Sequence, residues 1–513
     1  MIYDFRSLVN LSAKKFKNRD FLICADSKYN NISFENTKKF VDQFDFFLSK
    51  NSINFEDKIL VIMHNSNLLT LLFLSIISSF RVFVPINPKA SLSEVEYIIN
   101  QTNPKLFICD KIYSDKFKNL YFKKKVKKIF VKDKKKFINK IFSLKSFKIK
   151  KNPIKLKKNF ISEILFTSGS TGNPKGVVLT HKSILSNLHG INNRLKINDK
   201  KPRFLAITPL FHNNGQFIPT LLPLMIGGST TPIQSDTSLL TFWNVCIKNQ
   251  INYSSVMATH INYFLKMKPN IKGNKLRGLF CGGAKLDKNS QKIFEKNFKI
   301  KIATNYGLTE TSSIVSSESL SKIGRKPGSV GKPLFNNVVK VNKYRKKNYG
   351  EIYTKGENIF YKYLNDPIQT KNKIQNNWFR TGDLGYFDKN NFLFIKDRVD
   401  NMIIVSGENI YPSEVENYLY KFKEIKLGVI TSIKDKLTQN KLILIYEGKK
   451  NLDKNKFYKI ISRYISDYKI PKLIYHCSQI KLKEIPKAQN KKILRSKLKN
   501  YINNSKKLFE KFR

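Results

Sequence analysis

Residues 165–181 read LFTSGSTGNPKGVVLTH, and the fold turns on how this stretch is read. Two apolar runs that look like strands flank TSGSTGNPK, where nearly every residue is small, polar or turn-forming. Successive backbone N–H groups in such a turn make a concave anion site, hydroxyls add donors, and Lys175 adds charge, so the loop suits phosphate. Taken alone, a Gly/Ser-rich loop is more often an ordinary surface hairpin. It is not a Walker A loop, because the spacing to a Gly-Lys-Ser/Thr triplet is missing, and no GxGxxG follows the first strand.

Upstream of the loop, strand and helix signals alternate. KILVIM (58–63) reads as a buried strand, and LLTLLFLSIISSF (68–80) as a buried helix too short to span a bilayer. VFVPIN (82–87) reads as strand, SLSEVEYIINQ (91–101) as a helix opened by a Ser91/Glu94 capping box, and KLFICD (105–110) as strand. This βαβαβ rhythm predicts a parallel sheet with helices on both faces. The Lys-rich region 123–158 reads as a solvated connection.

Downstream, RFLAITPL (203–210), INYSSVMA (251–258), LRGLFCGG (276–283) and IKIATNYG (300–307) read as strands. The polar loops TSGSTG, FHNNGQ, CGGAKL and NYGLTET each follow a strand, which predicts four loops on one rim, where ligands bind in open α/β sheets. Residues 350–397 switch to short strands and turns. A smaller αβ unit follows from about residue 401, with a hairpin of LGVITSI (427–433) and KLILIYE (441–447), a helix near 454–468 and a basic C-terminal helix.

Length and composition bound the rest. A chain of 513 residues exceeds one core, so two or more domains are expected. Hydrophobic residues at 41% and aromatics at 12% argue against wholesale disorder. A net charge of +58 suits a polyanion partner or reflects compositional drift. Lysine is abundant throughout and is not alternated with aromatics, which favours drift. No specific nucleic acid is expected, and peripheral contact with an anionic membrane is held in reserve. The five cysteines are scattered, odd in number and form no CxxC pair, so they read as small buried residues of a reducing cytoplasm. The start, MIYDFRSLVNLSAKKF, has helical spacing and lacks the apolar core of a signal peptide, which adds to a cytoplasmic expectation.

Two further loops narrow the chemistry. NYGLTET (305–311) sets a ring beside a glycine, then a hydroxyl and a carboxylate. The ring can stack on a base, the hydroxyl can reach a phosphate, and the carboxylate can hold Mg²⁺, a hard cation that takes oxygen ligands. RTGDLG (380–385) presents one acid, Asp383, which can face two ribose hydroxyls.

With these motifs in this order, the sequence resembles the AMP-forming acyl-CoA synthetases of the adenylate-forming superfamily, over about residues 8–495. The stretch DRVDNMIIVSGENIYPSEVE (397–416) looks especially like aryl-CoA ligases of the 4-chlorobenzoate type. The resemblance implies an α/β fold. Residues 1–399 would form a large N-terminal ATP- and acyl-binding domain of doubly wound sheets plus a distorted β-barrel. Residues 400–513 would form a small mobile α+β C-terminal lid, with Asp400 as hinge.

It also implies ATP, Mg²⁺ and CoA as the bound species, with a small carboxylic acid as substrate. Thr167, Ser168, Gly169, Ser170, Thr171, Gly172 and Lys175 would hold the β- and γ-phosphates. Tyr306 would stack on adenine, near Gly282, Gly283, Ala284, Asn305 and Gly307. Thr309 would contact the α-phosphate, Glu310 would bind Mg²⁺, and Asp383 and Arg398 would bind the ribose. His212 would lie near the carboxylate, and Gly407 would approach the pantetheine chain. The family's catalytic lysine maps to Lys492 in IPKAQNKKIL (485–494). Here Lys491 replaces the preceding glycine and Ala488 the threonine, which puts the loop's shape in question.

Two alternatives stand beside this reading. One passes the acyl group to a carrier-protein phosphopantetheine in place of CoA. The other is a degenerate, basic binding protein that keeps the fold. The acyl pocket would be lined by PLFHNNGQ, VMATH (256–260) and CGGAK, with Phe217 and Met257 as apolar walls. His260 is a polar selector or, the favoured reading, a satisfied structural histidine.

Overall fold

The computed structural model describes residues 4–25, 30–122, 125–144, 160–167, 174–234, 238–267, 269–321, 323–344, 347–401, 403–405, 408–435, 439–465, 469–487 and 493–505. Local sequence rules account for most of its elements. Helix Asn67–Ser78 begins where the Ser66 hydroxyl accepts the Leu69 N–H, and Leu68 through Ser78 are buried on every side, as an all-apolar run requires. Helix Leu92–Thr102 carries both halves of the Ser91/Glu94 capping box and stops at Asn103 in the left-handed region (φ 47°).

Two large sheets follow. A seven-stranded sheet has the spatial order Lys362–Tyr363, Lys175–Thr180, Ile161–Thr167, Val82–Ile86, Lys58–Ile62, Leu106–Asp110, Lys127–Val131. Its strands from Ile161–Thr167 to Lys127–Val131 pair in parallel, and the other two pair antiparallel. A nine-stranded sheet holds Arg203–Ala206, Tyr253–Val256, Gly278–Cys281 and Lys301–Tyr306 in a parallel centre. Helices pack against these sheets around apolar cores of Phe, Leu and Ile. A five-stranded half-barrel sheet runs through Asn337–Lys343, Gly350–Gly356, Trp378–Phe387, Ile374–Gln375 and Leu393–Arg398.

Two expectations need correction. The strand that leads into TSGSTG does not share a sheet with the other three loop-bearing strands: it pairs with Val82–Ile86 and Lys175–Thr180. One rim therefore carries three of the loops, and the fourth leaves a neighbouring sheet. The Lys-rich region is also more than a connection. Lys127–Val131 is an edge strand paired with Leu106–Asp110, and helix Lys134–Phe142 buries Ile141, because a few apolar residues at strand and helix spacing survive among the lysines.

The chain divides into two compact units. The first takes residues 1–340, 353–381 and 388–394, and the second takes 341–352, 382–387 and 395–513. The second contains the hairpin Ile425–Asp435 and Gln439–Gly448, joined in parallel by Leu473–His476, with helices Lys454–Ile461 and Arg495–Asn504. Helix Lys454–Ile461 is shorter than expected, since the polar Ser462 and Arg463 end the apolar stripe. Four cysteines are buried and Cys24 is half-buried. No helix among the described residues is long and apolar enough to cross a membrane.

Candidate active site

In the first unit, strand register sets the mouth of the phosphate loop. Thr167 ends one strand, Lys175 opens the next, and the two face each other across the antiparallel pair. Residues 168–173 between them, which include Ser168, Gly169, Ser170, Thr171 and Gly172, lie outside the described residues. The Lys175 ammonium stands 6.0 Å from the Tyr363 ring centroid. Tyr363 is buried, and its hydroxyl donates to Glu310 Oε1 at 2.8 Å. Tyr363 thus links the exit of the phosphate loop to the carboxylate expected to hold Mg²⁺. The sequence reading missed it; its signal is the aromatic-rich FYKYLND that follows the glycine-bounded strand Gly350–Gly356.

Strand Lys301–Tyr306 delivers NYGLTET. A Cβ on Gly307 would fall 1.6 Å from the Ser313 carbonyl oxygen, so the close return of the chain there requires glycine. Thr309–Thr311 form a 3₁₀ turn, and Ser312 follows at φ 60°. Side-chain amides hold this turn from behind: Asn358 Nδ2 donates to the Thr311 carbonyl at 3.0 Å, and Ser312 Oγ donates to the Asn358 carbonyl at 2.8 Å. Tyr306 is buried, at 9% exposure, at the end of its strand. Asn305 accepts from Ser317 Oγ at 2.6 Å, while its Nδ2 is a buried donor with no bond among the described residues.

The loop after Gly278–Cys281 lies beside it. A Cβ on Gly282 would stand 3.8 Å from the Asn214 amide and from Asn305 Cβ. Gly283 (φ 79°) and Ala284 are exposed, and a Cβ on Gly283 would meet nothing within 4 Å. Three loops therefore converge at the carboxyl ends of the parallel strands, with open space over Gly283.

The His212 turn is the third of these loops and the most heavily anchored. Asn213 Nδ2 donates to the Ser312 carbonyl, and Ser255 Oγ donates to Asn214 Oδ1 at 2.6 Å. Gln216 Nε2 donates to the Leu210 carbonyl at 3.0 Å and to Glu163 Oε2 at 2.8 Å, and the Leu210 N–H donates to Asn65 Oδ1 at 2.9 Å. Gly215 is required, since a Cβ would meet the Pro209 carbonyl oxygen at 2.3 Å. The His212 imidazole packs against Phe211, and burial pushes its pKa down to about 4, so it is neutral at pH 7. A neutral imidazole can hydrogen-bond a carboxylate without holding it as an ion pair. Phe217 is fully buried and Met257 half-buried. His260 is buried, and its Nδ1 accepts the Met257 N–H at 3.5 Å, which fits the structural role.

The second unit holds the remaining described motif residues. Asp383 is buried on Trp378–Phe387, and Arg398 Nη1 lies 3.1 Å from its Oδ1. The two residues expected to hold ribose thus form one pair. Asp397 organises the turn that contains Asp400: it accepts from Arg398 N at 2.7 Å, Asn401 Nδ2 at 2.9 Å and Ser413 N at 3.1 Å. Gly407, Lys491 and Lys492 lie outside the described residues. The chain on either side of the lysine segment is clamped. The Leu494 N–H donates to the Pro486 carbonyl at 2.8 Å, Lys487 pairs with Glu447 at 2.8 Å, and Arg495 pairs with Glu416.

These groups fit a nucleotide and a hard cation. Among the described residues Asn305 Nδ2 is an unused buried donor and Glu310 Oε2 makes no bond, and the space over Gly283 is open.

Comparison with known proteins agrees. A family model described as AMP-binding enzyme matches residues 9–364. The 2-succinylbenzoate–CoA ligase of Bacillus cereus (strain Q1) is 30% identical over 346 residues, which cover 66% of this chain and 70% of that protein. The same enzyme of Geobacillus sp. (strain WCH70) is 29% identical over 67% of this chain and 70% of its own. Among solved structures, o-succinylbenzoate CoA synthetase from Bacillus subtilis, in complex with the acyl-adenylate intermediate OSB-AMP, matches with a TM-score of 0.81 at 22% identity, covering 96% of this chain and 97% of that one. ATP-bound MatB from Rhodopseudomonas palustris matches with a TM-score of 0.84 at 19% identity, covering 96% and 99%. At those identities the two structures share the fold.

Proposed function

We propose a mechanism from one premise: the chain belongs to the AMP-binding enzyme family. It is an AMP-forming CoA ligase, which activates a carboxylic acid with ATP and joins it to CoA. The residue roles and the acid that follow are our reading. The observation that carries them is the convergence of the His212, Gly282 and Tyr306 loops, with Tyr363 tying Glu310 to the side of Lys175.

A carboxylate is a poor electrophile because its leaving group would be oxide. In the first step a carboxylate oxygen bonds to the ATP α-phosphorus, the bond from that phosphorus to the bridging oxygen breaks, and pyrophosphate leaves. Two anions meet in this step, so the protein's task is to position them and offset their charge. Residues 167–175 hold the β- and γ-phosphates, Thr309 contacts the α-phosphate, and Lys492 brings an ammonium to the reacting oxygens. Tyr306 is assigned to stack on adenine, and Asn305 Nδ2, a buried donor without a partner among the described residues, to donate to its ring nitrogens. Mg²⁺ bound at Glu310 would neutralise phosphate charge. Tyr363 fixes the Glu310 carboxylate through one oxygen, which leaves the other for the cation.

In the second step the CoA sulfur bonds to the acyl carbon, the bond to AMP breaks, and the thiol proton passes to solvent. We assign residues 400–513 as a lid that turns about Asp400, withdrawing Lys492 and bringing Gly407 toward the pantetheine. Asp383 and Arg398 are assigned to the ribose, and His212 to the acid's carboxylate.

For the acid we propose 2-succinylbenzoate or a close analogue. The relatives' activity supports this, as does the polar Asn214–Ser255 pair beside the acyl loops. Pyrophosphate release with ATP and Mg²⁺, across a panel that includes 2-succinylbenzoate, benzoate and medium-chain acids, with and without CoA, tests this. Release that turns over with 2-succinylbenzoate and CoA supports the assignment. Preference for an unsubstituted fatty acid overturns it.

A further inference from the structure

A carboxyl group lies at the centre of the first unit's apolar core, unused by the mechanism above. Glu163 sits in the middle of strand Ile161–Thr167, paired across to Phe83 on one side and Leu179 on the other. It is fully buried. Strand alternation turns it to the same face as Leu165, which packs in the core with Leu210, Phe217 and Leu221. An apolar residue would be expected at this position, since burying a carboxyl group without full hydrogen bonding is costly.

Its single partner is informative. Glu163 Oε2 accepts from Gln216 Nε2 at 2.8 Å, and Oε1 has no partner among the described residues. Gln216 is fully buried too, and the same amide nitrogen donates to the Leu210 carbonyl at 3.0 Å. The bond to Leu210 orients the amide, because a carbonyl accepts only from the NH₂ end. Gln216 thus spans the His212 turn from inside and reaches the strand whose end, four residues beyond Glu163, is Thr167.

We infer that Glu163 is a positioning residue: through Gln216 it ties the strand feeding the phosphate loop to the turn carrying His212, so that one buried bond sets the ATP loop and the acid loop together. The two loops leave different sheets, so strand pairing does not fix one against the other. Burial pushes the Glu163 pKa up to about 8, against the Gln216 hydrogen bond. The group is neutral at pH 7, and its ionisation in alkali would place an unpaired anion in the core. This link deepens the proposed roles of residues 167–175 and His212 and rests on them.

Three variants test it: E163Q, which keeps a neutral polar group of the same shape, and E163L and Q216L, which remove the bond from either end. Their readouts are the KM for ATP and for 2-succinylbenzoate, ATP·Mg²⁺ affinity by calorimetry without acid, and the pH dependence of that affinity. E163L and Q216L are expected to raise both KM values and weaken ATP binding by about 10-fold, with kcat changed less, as loss of uniform binding geometry requires. E163Q is expected to stay within about twofold of wild type at pH 7 and to keep its ATP affinity at pH 9, where wild type loses it. E163L or Q216L moving neither substrate's binding, or one substrate's alone, overturns the link. So does an alkaline limb shared by wild type and E163Q. Should E163L fail to fold, E163Q and Q216L decide. The calorimetric arm holds even if 2-succinylbenzoate is not the acid. Lys175→Ala separates the premise from the link: unchanged ATP affinity there sinks the phosphate-loop assignment, while the alkaline limb and the E163L/Q216L pair still judge the bond.

Discussion

The two units secure their functional loops by different chemistry. In the first, neutral amides inside the apolar core hold the loops: Asn187 and Asn358 behind NYGLTET, Asn213 and Gln216 behind the His212 turn. In the second, ion pairs at the margin do the same work: Arg398–Asp383, Lys487–Glu447 and Arg495–Glu416, with side chains 10–33% exposed. Buried neutral bonds ignore salt and are costly to break. Half-exposed ion pairs contribute little each and weaken with ionic strength. A rigid substrate platform suits the first kind of attachment, and the lid proposed for the second unit would suit the other.

The largest expected effect strikes the amide side of that contrast. Asn187 is fully buried and satisfies both backbone groups of Ile314, donating at 2.6 Å and accepting at 3.1 Å. Asn187→Ala leaves the buried Ile314 N–H unpaired and its carbonyl with only the longer Asn337 Nδ2 bond of 3.3 Å, and should cost about 3 kcal/mol in chemical denaturation, equally at low and high salt. A loss below about 1 kcal/mol would break the comparison.

Acid should attack the same platform. His181 accepts the Phe5 N–H at 3.3 Å, stacks on Phe80, and burial pushes its pKa down to about 4. The unfolded chain binds its proton near 6.5, so the stabilising effect is complete above that pH and is lost as pH falls toward 4. The loss amounts to about 3 kcal/mol at most. His181→Gln should flatten that limb of the stability curve; an unchanged limb would remove His181 as its source.

On the ionic side, charge should matter more to chemistry than to folding. Lys492→Ala is expected to slow adenylation by about 10²-fold or more with an unchanged melting temperature. Thioester formation from supplied acyl-adenylate should be spared. Equal loss in both half-reactions would refute the assignment of Lys492.

The smallest effect tests the clamps. Glu416 meets the Arg495 guanidinium and the Ile430 N–H, and burial holds its pKa above the usual carboxylate range. Glu416→Gln should cost about 1 kcal/mol at low salt, and less in 1 M salt, where screening acts within about 3 Å. A salt-independent cost would place this pair in the same class as the amides and erase the distinction between the units.

Much of the site was legible in the sequence because its parts are short and contiguous. Ser91 and Glu94 read as a cap, and Thr167 with Lys175 as the two ends of one turn, each from a few neighbouring residues. Tyr363 escaped, and so did the partner of Asn214, because the contacts are far apart in the chain: Tyr363 meets a carboxylate 53 positions away, and Asn214 a hydroxyl 41 positions away. The Lys127–Val131 strand escaped for a different reason, its few apolar residues being hidden among lysines.

The sequence by itself determined the local chemistry: which loops carry glycine, hydroxyl, carboxylate and ammonium, in what order, and between which strands and helices. Backbone sterics, capping and hydrophobic period act over a handful of residues, and those can be read from the chain. Tertiary structure alone decided that the phosphate loop leaves a different sheet from its partners, that Asp383 pairs with Arg398, and that Glu163 reaches Gln216. Those outcomes depend on which strands pair and which faces meet in the core. Packing of the whole chain settles that competition, and no local pattern encodes it.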